Sequence, residues 1–206
     1  MSLASRRCEN VLSVCVEVCS AAFYLDNDLG VLVSACLFGD GAGAAVFRPL
    51  SEAKRGEFLG GSICMEGGAE GVLAQPGGGS RHPASNSSVE QRLHYMKMGG
   101  TKVFRFAVRV FAELVNNVVE RYGRDEIGVI VPHQVNQRII EAAMSQVGLP
   151  MDLVFSNIER YGNTSAASVP IALREAYDAG RMQPGKLVLL PAFGAGLAWG
   201  HLLLRW

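Results

Sequence analysis

A layered α/β fold is what this sequence predicts. Beyond Val103, short apolar runs rich in Val, Ile and Leu alternate with longer stretches whose apolar residues recur near helical spacing. Strand–helix–strand alternation of that kind is the pattern of helices packed on a sheet. The composition agrees: 49% of the 206 residues are hydrophobic and 24 are Gly, which suits a buried sheet and excludes a disordered or fibrous chain. This length supports one substantial core, or one domain plus part of a second.

The elements follow in order. Val11–Val18 is short and β-branched, as a buried strand requires. Asp26-Asn27-Asp28 is a polar turn. A second strand is expected over 43–48, after the glycine-rich Phe38-Gly39-Asp40-Gly41-Ala42-Gly43, and the polar stretch 50–56 marks a domain boundary. Residues 1–50 read as the tail of a preceding domain, with strands but no covering helix of comparable length. Residues 51–206 form the domain that follows. A strand over 57–64 leads to a long loop over 67–88, rich in Gly, Pro, Ser and Asn and able to line a channel. A long helix over 103–121, a buried strand over 127–131 and a helix over 136–147 closed by Gly148 come next. A brief strand at 153–155 precedes a helix over 164–179 that ends at Gly180, with Pro170 early enough to be accommodated. Strands over 186–190 and 197–204 finish the sheet.

Several classes of function are excluded early. Lys plus Arg equals Asp plus Glu at 19 each, so no global charge argues for nucleic acid or an anionic membrane. The uncharged stretch 187–204 is nearly long enough to cross a bilayer, but Pro191, Gly194, Gly196, Gly200 and His201 make it two strands around a turn. The five cysteines (Cys8, Cys15, Cys19, Cys36 and Cys64) are odd in number and form no C-x-x-C pair. With no secretion signal evident, they read as reduced thiols of a cytoplasmic protein. Gly39-Asp40-Gly41-Ala42-Gly43 lacks the Lys-Ser/Thr ending of a phosphate loop and leads into a strand, so a nucleotide site is not expected there.

Three segments carry chemistry. His133, in Pro132-His133-Gln134-Val135-Asn136, stands directly after a strand, where sites collect in open α/β sheets. Asn163 sits on a turn opened by Gly162, which permits an unusual backbone angle and an inward amide. Ala192-Phe193-Gly194-Ala195-Gly196 presents backbone N–H groups on a glycine turn. A neutral imidazole, a carboxamide and a backbone amide are donors that can point at one thioester carbonyl, and preset donors are the usual largest contribution in acyl chemistry. Alone, each segment is also consistent with a purely structural role: a surface His, an Asn in a turn beside a Thr164 or Ser165 cap, a glycine hairpin.

Together, the segments closely resemble the β-ketoacyl-ACP synthase III branch of the thiolase-like condensing enzymes. The resemblance spans residues 11–206. It is densest in Val131-Pro-His-Gln-Val-Asn-Gln-Arg-Ile139, Arg160-Tyr-Gly-Asn-Thr-Ser-Ala-Ala-Ser-Val-Pro170 and Leu189-Leu-Pro-Ala-Phe-Gly-Ala-Gly-Leu-Ala-Trp-Gly200, with Leu37-Phe-Gly-Asp-Gly-Ala-Gly-Ala44 as a further match. It implies a thiolase-like α/β/α fold, of which this chain holds the C-terminal half and the last strands of the N-terminal half. It also implies a Cys–His–Asn site working on acyl thioesters. His133 and Asn163 would stabilise the enolate formed as carbon dioxide leaves a malonyl unit, and the Ala195 N–H would hold the tetrahedral oxyanion. The family commonly has Gly near that turn, but Ala keeps the N–H.

The resemblance further implies acyl-CoA and acyl carrier protein as partners, with no cofactor beyond the thioester substrates and no metal. Arg105 and Arg138 fall on positions of the family's basic docking patch, which is thinner here because Ser145 and Gln146 replace lysines. The family's nucleophilic Cys lies upstream of the strand matching Val11–Val18, so this chain is expected to lack it and to be inactive alone. Without the partner half, exposed apolar surface and self-association are expected. Two other readings remain: a chalcone-synthase-like type III polyketide synthase fragment, favoured by Val14-Cys-Val-Glu-Val-Cys19 and Phe38-Gly39-Asp40-Gly41, and a non-catalytic interaction module.

Overall fold

The computed structural model describes residues 9–24, 29–53, 55–68 and 71–206. Cys8, the Asp26-Asn27-Asp28 turn, Lys54 of the boundary stretch and 69–70 of the long loop lie outside the described residues.

Strand β1 (Val11–Val18) pairs antiparallel with β2 (Asp40–Phe47), and helix α1 (Leu29–Leu37) lies between them in sequence. This helix corrects the expectation of no comparable helix before residue 50. Its nine residues are almost uniformly apolar, so no polar stripe marks the 3.6-residue period from which an amphipathic helix is read. The second strand begins three residues earlier than expected, because the glycine run itself is extended. Its glycines let the strand approach the C-terminal part closely: a Cβ at Gly43 would lie 2.7 Å from the Pro170 ring, and one at Gly41 3.0 Å from Ile171.

The second sheet has the order β3 (Glu57–Met65), β8 (Ala198–Arg205), β7 (Leu187–Gly194), β6 (Ile127–Ile130). Here β6 and β7 are parallel and the other pairs antiparallel. Alternate residues of β7 serve different cores. Leu187 and Leu189 pack with Phe111 and Val115 of α3 (Gly100–Tyr122) and Ile140 of α4 (Gln137–Val147). Val188 and Leu190 pack with Ala172 and Ala176 of α6 (Ser168–Asp178). Burial on both faces explains why the strand reads as a continuous apolar run, and it makes the layering α/β/α. Each such side chain contributes about 1.5–3 kcal/mol when fully buried.

Three further differences are local. The long loop contains β4 (Leu73–Ala74), which pairs with β5 (Lys97–Met98), and it gives way to the short helix α2 (Asn86–Glu90) capped by Ser85. The expected strand at 153–155 is a single parallel bridge between Val154 and Ile130, preceded by the 3-10 turn Met151–Leu153. The expected helix at 164 begins as the 3-10 turn Ser165–Ala167 and becomes α-helical at Ser168, which places Pro170 in the first turn, where no backbone donor is lost. A short helix, α5 (Ile158–Tyr161), precedes Gly162.

Strand β1 is not buried on both faces. Leu12, Val14, Val16 and Val18 share one face and are between 59 and 65% exposed, with Val46 of β2 beside them. Phe58, Ile63 and Met65 of the edge strand β3 are also exposed. A contiguous aliphatic face of this kind drives association. This chain, prepared alone, should elute larger than a monomer and bind a hydrophobic dye. A clean monomer without dye binding would contradict that expectation.

Candidate active site

The ladder between β6 and β7 continues past the strand end. Val131 N–H donates to Leu189 O at 2.8 Å, and His133 N–H to Pro191 O at 2.9 Å, so His133 stands at the carboxyl end of a buried strand. Val135 N–H returns to His133 O at 2.9 Å, and Asn136 Oδ1 accepts from Arg138 N–H at 2.9 Å, capping α4. Gln134 is buried and its side chain ties the loop down. Its Nε2 donates to Pro132 O at 2.8 Å, and its Oε1 accepts from Ser156 Oγ and Asn157 N–H.

Asn163 is held by backbone on two sides. Its N–H donates to Leu37 O at 2.8 Å, and its carbonyl accepts from Gly39 N–H at 3.0 Å. Gly162 makes this possible: its φ is 65°, and a Cβ there would lie 2.7 Å from Leu37 O. The carboxamide is oriented as well. Oδ1 accepts from Ser165 N–H at 2.9 Å, and Nδ2 donates to Val135 O at 3.5 Å, a long contact. The loop before it is anchored at Glu175, which accepts from Asn157 Nδ2 at 2.9 Å, from Tyr161 OH at 2.6 Å and from Arg160. Burial opposes ionisation of Glu175, but these hydrogen bonds and the Arg160 charge hold its carboxyl below the usual range.

The third segment forms the 3-10 turn Ala195–Leu197, with φ of 75° at Gly196 and 45° at Leu197. His133, Asn163 and Ala195 line one cavity of about 590 Å3. Its walls are otherwise mostly apolar, from Val33 and Leu37 of α1, Met96, Met98, Phe104 and Phe193, and no charged side chain lines it among the described residues. Phe193 and the imidazole pack edge to face, with ring centres 5.9 Å apart and planes at 70°. In this apolar setting burial pushes the His133 pKa down to about 4, so the ring is neutral at neutral pH.

Arg105 and Arg138 lie outside the cavity. Both are exposed and carry no ion pair among the described residues, and each follows a lining residue closely (Phe104 and Asn136). None of the four described free cysteines lines the cavity either. Cys19 is buried, and desolvation, with Glu17 and Asp40 nearby, pushes its thiol up, away from the thiolate a nucleophile needs. Among the described residues no three His, Cys, Asp or Glu side chains group as metal ligands, and no helix is long and apolar enough to cross a membrane. Two contributions were not anticipated from sequence. One is the α1 wall, and the other is Ser168, whose Oγ lies 2.7 Å from His133 Nδ1.

Residues 120–206 match the family described as 3-oxoacyl-[acyl-carrier-protein (ACP)] synthase III C terminal. A β-ketoacyl-[acyl-carrier-protein] synthase III of Symbiobacterium thermophilum is 51% identical over 172 residues, covering 82% of this chain and 52% of that protein. The protein of the same name from Clostridioides difficile is 42% identical over 200 residues, covering 96% of this chain and 59% of its own length. The crystal structure of 3-oxoacyl-[acyl-carrier-protein] synthase III from Aquifex aeolicus superposes with a TM-score of 0.79 at 39% identity, over 100% of this chain and 60% of that one. The chain thus spans about half the length of the curated relatives it matches. Shared sequence and shared fold agree, and the chain belongs to the β-ketoacyl-ACP synthase III branch of the thiolase-like condensing enzymes.

Proposed function

We propose that the protein of which this chain is part condenses an acyl thioester with a malonyl thioester by decarboxylation, and that this chain supplies the donors but not the nucleophile. The observation that carries this reading is the convergence of His133, Asn163 and Ala195 on one apolar-walled cavity. A cavity of this volume takes a small-molecule arm, and its apolar walls strengthen each hydrogen bond inside it.

In the first half-reaction a cysteine thiolate attacks the acyl-CoA carbonyl. The tetrahedral oxygen receives the Ala195 N–H, and coenzyme A leaves as the thiolate. In the second, the malonyl carbon–carboxylate bond breaks and carbon dioxide departs. The electron pair passes to the thioester carbonyl, whose oxygen receives protons shared from His133 Nε2 and Asn163 Nδ2. A neutral imidazole is required, because it must donate without first discharging its proton, and its depressed pKa keeps it so. The carbanion then attacks the acyl-enzyme, the Ala195 N–H again meets the oxyanion, and collapse expels the cysteine thiolate. Acyl carrier protein bearing the malonyl group docks at Arg105 and Arg138.

The nucleophile is assigned to a segment preceding β1. The matched region is about half of each curated relative, and no described cysteine of this chain lines the cavity, Cys8 lying outside the described residues. Incubation with acyl-CoA followed by intact mass measurement tests this. A chain extended by the part of its relatives that it does not cover should gain one acyl group as a thioester, whereas this chain alone should gain none. A stoichiometric adduct on this chain alone would overturn the assignment.

A further inference from the structure

We propose that Ser168 fixes the tautomer of His133, holding the ring proton on Nε2, the nitrogen left to face the cavity. The catalytic consequence rests on the donor reading of His133 given above. The tautomer itself follows from counting protons in a buried triangle.

Ser168 opens α6, is only 2% exposed and does not line the cavity. Its Oγ lies 2.7 Å from His133 Nδ1 and 3.2 Å from the Gln134 N–H. The Gln134 amide can only donate, so it occupies one lone pair of Oγ. Gln134 is not free to turn away, since its side chain is engaged at Pro132, Phe155, Ser156 and Asn157. The hydroxyl proton of Ser168 then needs an acceptor, and among the described residues His133 Nδ1 is the one recorded within reach. A proton on Nδ1 would give Oγ two incoming donors and leave its own buried proton with no acceptor, an unfavourable arrangement. The hydroxyl therefore donates to Nδ1. The backbone bond of His133 to Pro191 O holds its main chain, and the Phe193 ring packs edge to face with the imidazole.

Ser168 is thus a positioning residue: it touches the imidazole, on the side away from the cavity. Its cost when lost should appear in turnover rather than in substrate binding.

The test uses the full-length protein labelled with nitrogen-15 in its histidine rings, with the His133 signals identified by their absence from a His133→Gln protein. At neutral pH the long-range proton–nitrogen spectrum should show a pyrrole-type Nε2 and a pyridine-type Nδ1. Ser168→Thr, which keeps the hydroxyl, should preserve that pattern. Ser168→Ala should give a mixture of tautomers, and kcat for malonyl-thioester decarboxylation should fall by about tenfold or more with KM within about twofold, since a wrong tautomer can cost as much as about 10⁴ in rate. A protonated Nδ1 in the unaltered protein overturns the proposal. So do ring signals unchanged in Ser168→Ala. The expected spectra with an unchanged kcat in Ser168→Ala would uphold the tautomer assignment and count instead against His133 as the decarboxylation donor.

Discussion

Alanine in place of His133, or of Asn163, should each lower malonyl-thioester decarboxylation by the full-length protein by about 10²–10³-fold, the usual effect of deleting one preset donor. KM should change little, because the contact strengthens only as charge reaches the thioester oxygen. The double variant should fall short of the product of the two single effects, since both groups serve one oxygen. Retention of decarboxylation within about twofold in both single variants would remove these residues from the reaction. The acid limb of the rate should also be displaced. An ordinary imidazole protonates near 6.5, but burial lowers His133 to about 4, so the rate contribution of the neutral ring should persist below 6.5 and be lost as pH falls through about 4.

The same depression has a consequence for stability, with a definite sign. Between about 6.5 and 4 the unfolded chain takes up a proton at His133 that the folded chain refuses. Stability therefore declines as pH falls through that window, by at most about 3 kcal/mol from this residue. Urea unfolding of the unaltered protein and of His133→Gln, each followed from neutral pH downward, isolates that contribution as the difference between their slopes.

Gly39→Ala should be the second most damaging change. A Cβ at Gly39 would lie 2.2 Å from Tyr161 O, and the opposing atom is backbone, so β2 and the Asn163 loop must separate. Overpacking of this kind typically costs about 1–3 kcal/mol. Activity should fall along with the urea midpoint, because the Leu37 and Gly39 peptide groups that clamp Asn163 move apart from it. Gly67→Ala supplies the comparison, since nothing lies within 4 Å of its added carbon. A Gly39→Ala protein as stable and as active as Gly67→Ala would refute the clamp.

What could be read without coordinates was mostly local. The helices α3 and α4 announce themselves by apolar spacing, an Asn cap and a left-handed Gly148. The placement of His133 at a strand end and of Asn163 on a glycine turn is written in single residues and their neighbours. Helix α1 is the opposite case, apolar all round and so indistinguishable in pattern from a strand. The start of β2 was obscured because glycines look like a loop until Thr164, Pro170 and Ile171 are seen pressed against them. The partner of Ser168 is 35 residues away, and no spacing rule links a helix-opening serine to an imidazole across that interval. Val11–Val18 is recognisable as a strand from its β-branched run, but which of its faces meets other protein is a property of the assembly.

The peptide clamp between residues 37–39 and 163 bears on how such proteins diverge. Small residues at 39, 41 and 43 and the bulk at 164, 170 and 171 are two sides of a single mould, so neither can drift without the other. Exchanging the segment 39–43 for a relative's without its counterpart at 161–171 would bring together surfaces never selected as a pair. Mismatch there would register first at the carboxamide, before any reactive group had itself been altered.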